Sequence, residues 1–285
     1  MRSVVALDKL AHSEEQSLRK IEPISEGTIL LPNNSMVDLM AADKFRVVRA
    51  HFERMLLGKP EKKIFAVTSA VPSEGKSLVS VNLSRAIASS INARVLLIDC
   101  DLRRPTVHKF FNISQEDGVS DAIACGHHLY QYIREVENNL HVISAGSISA
   151  DPVSIIDHPS FKQAILQLSE RYTHVILDCP PALLCPEPIS LSNLADGTML
   201  VVRAGHTDKT LVQDAVETIG KDKILGAILN DAHDSSSGYE YYGYYGIYAK
   251  KHSTKKGKKA TGESFGKVLT QNASKVKKIG SYLRR

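Results

Sequence analysis

The segment Ser69-Ala70-Val71-Pro72-Ser73-Glu74-Gly75-Lys76-Ser77 holds the groups needed to grip a polyphosphate. A short apolar run, 64–68, precedes it, and a helical pattern over 77–91 follows. Gly-Lys-Ser at a strand-to-helix junction turns free backbone N–H groups, and the positive end of the helix dipole, toward phosphate oxygens. Lys76 supplies a long cationic arm for the outer phosphates, and Ser77 a hydroxyl suited to Mg²⁺. Ser73, Glu74, Gly75 and Leu78 complete the expected nucleotide contacts. The usual pattern has glycine five residues before Gly75, where Ala70 stands, and Ser73 holds another place where glycine is common. Taken alone, the segment also fits a helix that merely begins Gly-Lys-Ser.

Two carboxylate motifs narrow that choice. The apolar run 94–98 leads into Asp99-Cys100-Asp101-Leu102-Arg103, and 174–177 leads into Asp178-Cys179-Pro180-Pro181. Asp99 and Asp101 at one strand end cannot comfortably both stay charged without a cation, so Mg²⁺ or an arginine is expected beside them. A single carboxylate after an apolar strand suits Mg²⁺, often through water, and the prolines after Asp178 stop the strand. Each aspartate alone reads as a cap or a turn. Three of them at strand ends, in the order loop, pair, single, point to a metal–nucleotide site.

The elements that must position these groups are legible in outline. Residues 1–38 read as a flexible arm with weak periodicity. Residues 40–57 have helical spacing, with Phe45, Val48, Phe52, Met55 and Leu56 at three- and four-residue steps. Strands at 64–68, 94–98, 140–143, 174–177, 197–202 and 224–229 then alternate with helices at 77–91, 119–125, 158–172, 188–194 and 207–219. Short all-apolar strands between amphipathic helices predict an α/β fold with a mainly parallel sheet and helices on both faces. Ligands of such sheets bind at the carboxyl ends of the strands. The expected division is arm 1–38, nucleotide-binding domain 39–232, tyrosine-rich segment 233–249 and basic tail 250–285.

Six of the ten tyrosines, Tyr239, Tyr241, Tyr242, Tyr244, Tyr245 and Tyr248, crowd into ten residues broken by two glycines. That is poor core sequence. It suits phosphoryl acceptance or stacking on RNA or sugar rings, and beside an ATP site phosphoryl acceptance is favoured. The net charge of +5 is uneven: residues 249–285 carry +11, leaving −6 for residues 1–248. Such a tail suits an anionic membrane surface, or simply solubility. No basic face is identifiable in the domain, so nucleic acid is an unlikely partner. Cys100, Cys125, Cys179 and Cys185 form no CxxC pair and read as reduced thiols of a cytosolic protein. No apolar run approaches transmembrane length.

Over about residues 41–248 the chain resembles the bacterial tyrosine kinases of capsule and exopolysaccharide export, especially the exosortase-associated autokinases. Ser69 to Ser77 looks like their Walker A loop, Val95 to Arg103 like Walker A′ with its DxDxR, and Val175 to Pro181 like Walker B. The tyrosine cluster matches theirs in position. Asp43, Arg46 and Arg49 resemble the ExxRxxR motif that joins subunits into a ring, with Asp in place of Glu; an ordinary solvated helix face is the plain reading. The resemblance implies a P-loop NTPase-type fold, ATP and Mg²⁺ as cofactors, and autophosphorylation in trans. It also implies a separate membrane-anchored co-polymerase as activator and recruitment to the inner face of the plasma membrane.

On this reading Lys76, Asp99, Asp101 and Asp178 are catalytic. Ser77, Asp101 and Asp178 hold Mg²⁺, and Asp99 orients or deprotonates the incoming hydroxyl. Arg103 pairs with the carboxylates or contacts phosphate. Asn230, after the last strand, reads the adenine edge or simply makes a turn. Two other classes fit the loop: a septum-site or partition ATPase, and a non-catalytic ATP-binding adaptor of an export complex. The first carries a lysine where Val71 stands. The intact Lys76, Asp99, Asp101 and Asp178 argue against the second.

Overall fold

The computed structural model describes Arg19–Lys20 and residues 35–61 and 63–232. The six cluster tyrosines, the basic tail and most of the arm lie outside the described residues.

Eight strands form one sheet in the order β1-β4-β5-β3-β6-β2-β7-β8. They are β1 (Arg19–Lys20), β2 (Ile64–Ser69), β3 (Val95–Asp99), β4 (Arg134–Glu137), β5 (Leu140–Ile143), β6 (His174–Asp178), β7 (Gly197–Arg203) and β8 (Ile224–Asn230). All neighbours run parallel except β4 and β5. The α/β fold with a mainly parallel sheet is thus present. Two points differ from expectation. Helix α1 spans Ser35–Met55 and so begins inside the arm, whose Arg19–Lys20 adds a strand to the β4 edge. Strand β4 went unread because Arg-Glu-Val-Glu has no apolar run, yet its alternation buries Arg134 and Val136.

The central strands are buried end to end, so their side chains alternate between two cores. One face packs Phe65, Val67, Leu97 and Ile176 against α2 (Lys76–Ala88) and Phe52 of α1. Phe52 meets Phe65 edge to face, with ring centroids 4.8 Å apart. The other face packs Ala66, Leu96, Ile98 and Leu177 under α6 (Pro159–Arg171) and α7 (Glu187–Leu194). Phe161, Ile165 and Leu168, at helical spacing on α6, supply its buried stripe. Shorter helices α3 (Val107–Phe110), α4 (Val119–Ala124) and α5 (Pro152–Asp157) fill the crossovers, and α8 (Lys209–Ile219) precedes β8. The four-residue α3 gives too few periodic positions to be read from sequence, and α5 also went unread.

The strand order brings the motifs together. β6 lies between β3 and β2, with Asp99 and Asp178 in register as direct cross-strand partners. The paired aspartates, the single aspartate and the loop after β2 therefore stand consecutively along the carboxyl edge of the sheet.

Candidate functional site

The loop between β2 and α2 owes its shape to two residues in left-handed conformation, Ser73 at φ 65° and Gly75 at φ 89°. At Gly75 a side chain is excluded twice: by φ, and because a Cβ would lie 2.1 Å from Asn230 Nδ2. Ser73 adopts by strain what glycine adopts freely. Ala70 is buried against Ala182 and Leu200 with no positive φ, so the missing first glycine costs the loop nothing here.

Lys76 opens α2 and turns to Asp101, Nζ to Oδ2 2.6 Å, with the Ser77 hydroxyl 3.4 Å from the same ammonium. Burial works against the charged lysine, but Asp178 and Asp101 more than offset it, so its pKa stands above the ordinary value. Asp178 is fully buried; its Oδ1 accepts a 2.9 Å bond from the Ser80 hydroxyl, and its Oδ2 has no hydrogen-bond partner. Burial raises the Asp178 pKa, with Lys76, Ser77 and Ser80 pulling the other way.

Asp99 corrects one expectation. It is fully buried, and its carboxylate accepts from the backbone N–H groups of Asp101, Thr106 and Val107 at 3.2, 3.1 and 3.0 Å. Burial, with Asp178 alongside, pushes it well above the usual carboxylate range. This carboxylate shapes the turn after β3 and does not line the cleft. Asp101, whose Oδ1 accepts from the Arg104 N–H at 3.0 Å, faces the cleft instead.

That cleft measures about 700 Å³. Ser73, Gly75, Lys76, Ser77 and Leu78 form one wall, and Pro181, Leu184 and Cys185 after β6 another. The third comes from the turn after β3: Asp101, Arg103, Arg104, Thr106, Lys109 and Phe110. Of the expected nucleotide contacts, Arg103 lines it while bound to the buried Glu187 carboxylate, Nε to Oε1 2.8 Å. That bond raises its pKa further.

Glu74 and Asn230 are placed differently from expectation. The Glu74 side chain is buried, accepting from the Val71 N–H at 2.8 Å, the Arg203 N–H at 3.1 Å and the Thr207 hydroxyl. Asn230 donates its amide to the Glu74 carbonyl at 2.8 Å. Both brace the loop against the ends of β7 and β8, and neither side chain lines the cleft. Arg49 likewise turns inward, donating to Ala86 O and the Ser89 and Ser90 hydroxyls at the end of α2 at 2.9, 3.2 and 2.9 Å. Arg46 stays on the surface of α1, paired with Asp43 at 2.7 Å.

The donor set suits Mg²⁺. Among the described residues no three His, Cys, Asp or Glu groups form a ready cage. Mg²⁺ keeps several waters and takes few protein ligands, and the unpartnered Asp178 Oδ2 beside Ser77 and Asp101 fits that habit. Sequence reading missed Ser80, Glu187 and the cleft wall from Arg104 to Phe110. Only Ser80 had a local signal, one helical turn beyond Lys76 and Ser77.

The family model described as AAA domain matches residues 62–221, more than half the chain. Tyrosine-protein kinase YwqD of Bacillus subtilis is 33% identical over 214 residues, covering 74% of this chain and 90% of that protein. The chain belongs to the bacterial tyrosine kinase family. Tyrosine-protein kinase Ptk of Acinetobacter johnsonii is 35% identical across 74% of this chain, which spans only 29% of that longer protein. The solved kinase domain of Escherichia coli tyrosine kinase ETK superposes with TM-score 0.65 at 26% identity, covering 87% of this chain and 97% of that one. The Pyrococcus furiosus cell division ATPase MinD superposes at TM-score 0.53 and 20% identity, over 61% of this chain and 74% of that one. That likeness shows the shared P-loop ATPase-type fold alone. Among the described residues of this bacterial tyrosine kinase, no helix is long and apolar enough to cross a membrane.

Proposed function

We propose that this kinase transfers the γ-phosphoryl group of ATP·Mg²⁺ to tyrosines 239–248 of a neighbouring copy, and so regulates polysaccharide polymerisation and export. The observation that carries it is the Lys76–Asp101 pair at the floor of an open cleft beside the unpartnered Asp178 Oδ2.

Lys76 exchanges the Asp101 carboxylate for oxygens of the β- and γ-phosphates. The loop N–H groups from Gly75 onward take the remaining oxygens, and Arg103 stands on the cleft wall to meet charge from the side. Ser77 and Asp178 would hold Mg²⁺, which would neutralise charge on the phosphate oxygens; Asp101, with Oδ1 taken by the Arg104 N–H, keeps Oδ2 for the acceptor. Released from Lys76, Asp101 orients the acceptor hydroxyl. The tyrosyl oxygen forms the new P–O bond, the bond from γ-phosphorus to the bridging oxygen breaks, ADP leaves with that electron pair, and the phenolic proton passes to Asp101. A free tyrosine titrates at about 10, so a base at the transition state is needed near neutral pH.

Names among the relatives support the export setting. The chain is 28% identical to tyrosine-protein kinase Wzc of Salmonella typhimurium, and a solved relative is the chimera CapA2B2. In this setting the activator is a separate membrane-anchored co-polymerase, copies assemble as a ring, and the basic tail contacts the inner face of the plasma membrane. With Arg49 engaged inside the chain, Arg46 and Asp43 are the motif residues left on the surface for a neighbouring copy.

Incubation with ATP·Mg²⁺ and the activator, followed by phosphotyrosine detection and mapping, tests the proposal. Signal on Tyr239 to Tyr248 in the wild type and none in Lys76→Met is expected. Steady ATP hydrolysis without phosphotyrosine would move the chain to the switch ATPases.

A further inference from the structure

The cleft is larger than the phosphate loop requires, and its other two walls have a distinct chemistry. Phe110 presents apolar surface on the wall after β3, and Leu184, 65% exposed, does so from the wall after β6. Arg104 and Lys109 stand exposed on the wall after β3. Unlike Arg103, neither takes part in an ion pair found among the described residues. A cleft that offers Phe110 and Leu184 as apolar surface beside two unpaired cations matches a phenol ring carried on an anionic segment, because ring burial and charge pairing are satisfied at once.

The sequence contains such a segment. Residues 233–248 hold Asp234, Glu240 and six tyrosines, and no lysine or arginine. The basic residues resume at Lys250. Charge complementarity thus favours this segment over the rest of the C-terminal region, which the same cations would repel.

We infer that Arg104 and Lys109, beside Phe110 and Leu184, form an acceptor subsite that selects tyrosines flanked by an anionic group, the carboxylate of Glu240 first and then a phosphotyrosine already made. This deepens the kinase reading given above and rests on it. One consequence is order: each phosphoryl group added to the cluster strengthens the hold on the next tyrosine, so transfer along the cluster accelerates after its first step.

The test uses the full chain, with ADP·Mg²⁺, and three fluorescein-labelled peptides of residues 233–248. One is native, one carries Asp234→Asn and Glu240→Gln, and one carries phosphotyrosine at Tyr242. Binding is followed by fluorescence anisotropy. Exposed charge pairs are individually weak, so neutralising both acids should weaken binding roughly two- to thirtyfold at low salt, and the difference should shrink in high salt. The phosphopeptide should bind tighter than the native one. In Arg104→Gln/Lys109→Gln the three affinities should converge, with an unchanged thermal melting temperature as the check on folding. Equal affinities in the wild type, or discrimination that survives in the double variant, would overturn the inference. A matching loss of ADP affinity would also overturn it, by assigning the cations to the nucleotide. Phosphorylation of the three peptides at one rate would remove the subsite and leave the kinase reading standing. Selective binding with no phosphorylation would remove the kinase reading and leave the subsite.

Discussion

Lys76 Nζ lies 2.6 Å from Asp101 Oδ2, with only 12% and 4% of the two side chains exposed. The nucleotide-gripping cation is thus held, before any phosphate arrives, by a carboxylate from the neighbouring motif. Replacing Lys76 by Met leaves Asp101 buried and uncompensated. Transfer should fall by about 10²–10³-fold, the scale of losing one transition-state donor. Asp101→Asn should also abolish transfer while retaining nucleotide affinity. Single-turnover phosphotyrosine formation alongside ADP titration checks both.

Asp99 and Asp178 are raised above the ordinary carboxylate range by burial, so below that raised pKa they hold protons in the metal-free chain. Their sign is unusual for aspartates. The stability they contribute is present below the unfolded value and lost as pH rises through the folded value. A bound divalent ion reverses this by favouring the charged forms. Binding of Mg²⁺·ADP should therefore release protons, and more of them as pH is lowered toward the raised pKa values. Calorimetry in two buffers of different ionisation enthalpy measures the release. Asp178→Asn should reduce it.

Gly75→Ala meets both a positive φ and the Asn230 amide. Left-handed strain alone costs about 1–3 kcal/mol, and the clash adds to it. Adding Asn230→Ala should restore the clash component and leave the strain. Urea unfolding of the two single variants and the double variant separates the two contributions as a non-additive cycle.

Glu74→Ala removes the acceptor for the Val71 and Arg203 N–H groups and the Thr207 hydroxyl. Leaving such donors unsatisfied should cost about 2–4 kcal/mol of stability. Because the brace holds the loop, ADP affinity should fall as well. Chemical denaturation and nucleotide titration read the two effects.

Arg49→Ala should cost about 1–2 kcal/mol, since its guanidinium caps carbonyl and hydroxyl oxygens at the C-terminal end of α2. Arg46→Ala, on an exposed pair, should leave the melting temperature unchanged while lowering the oligomeric state. Light scattering and thermal melts on both variants distinguish the internal role from the intermolecular one.

The loop, the Asp99/Asp101 pair and Asp178 were legible because each motif is local: an apolar strand, then a turn carrying the functional group. The six main strands followed from short all-apolar runs, and the principal helices from apolar positions at helical spacing. Element bounds moved by a few residues, and α1 began within the arm, because Ser35–Leu39 carries too little apolar periodicity to announce a helix.

What the sequence determined by itself is therefore which groups meet at the carboxyl edge of the sheet and that they suit a metal-bound triphosphate. Tertiary structure decided which of two neighbouring aspartates faces the cleft, since three N–H donors after β3 turn Asp99 inward. It also decided that Glu74 and Asn230 brace the loop and that Arg49 docks α1. The partners responsible, Thr207 for Glu74, Glu74 for Asn230 and Ser90 for Arg49, lie 133, 156 and 41 residues away in the chain. Side-chain direction is set by such long-range contacts, and no local spacing encodes them.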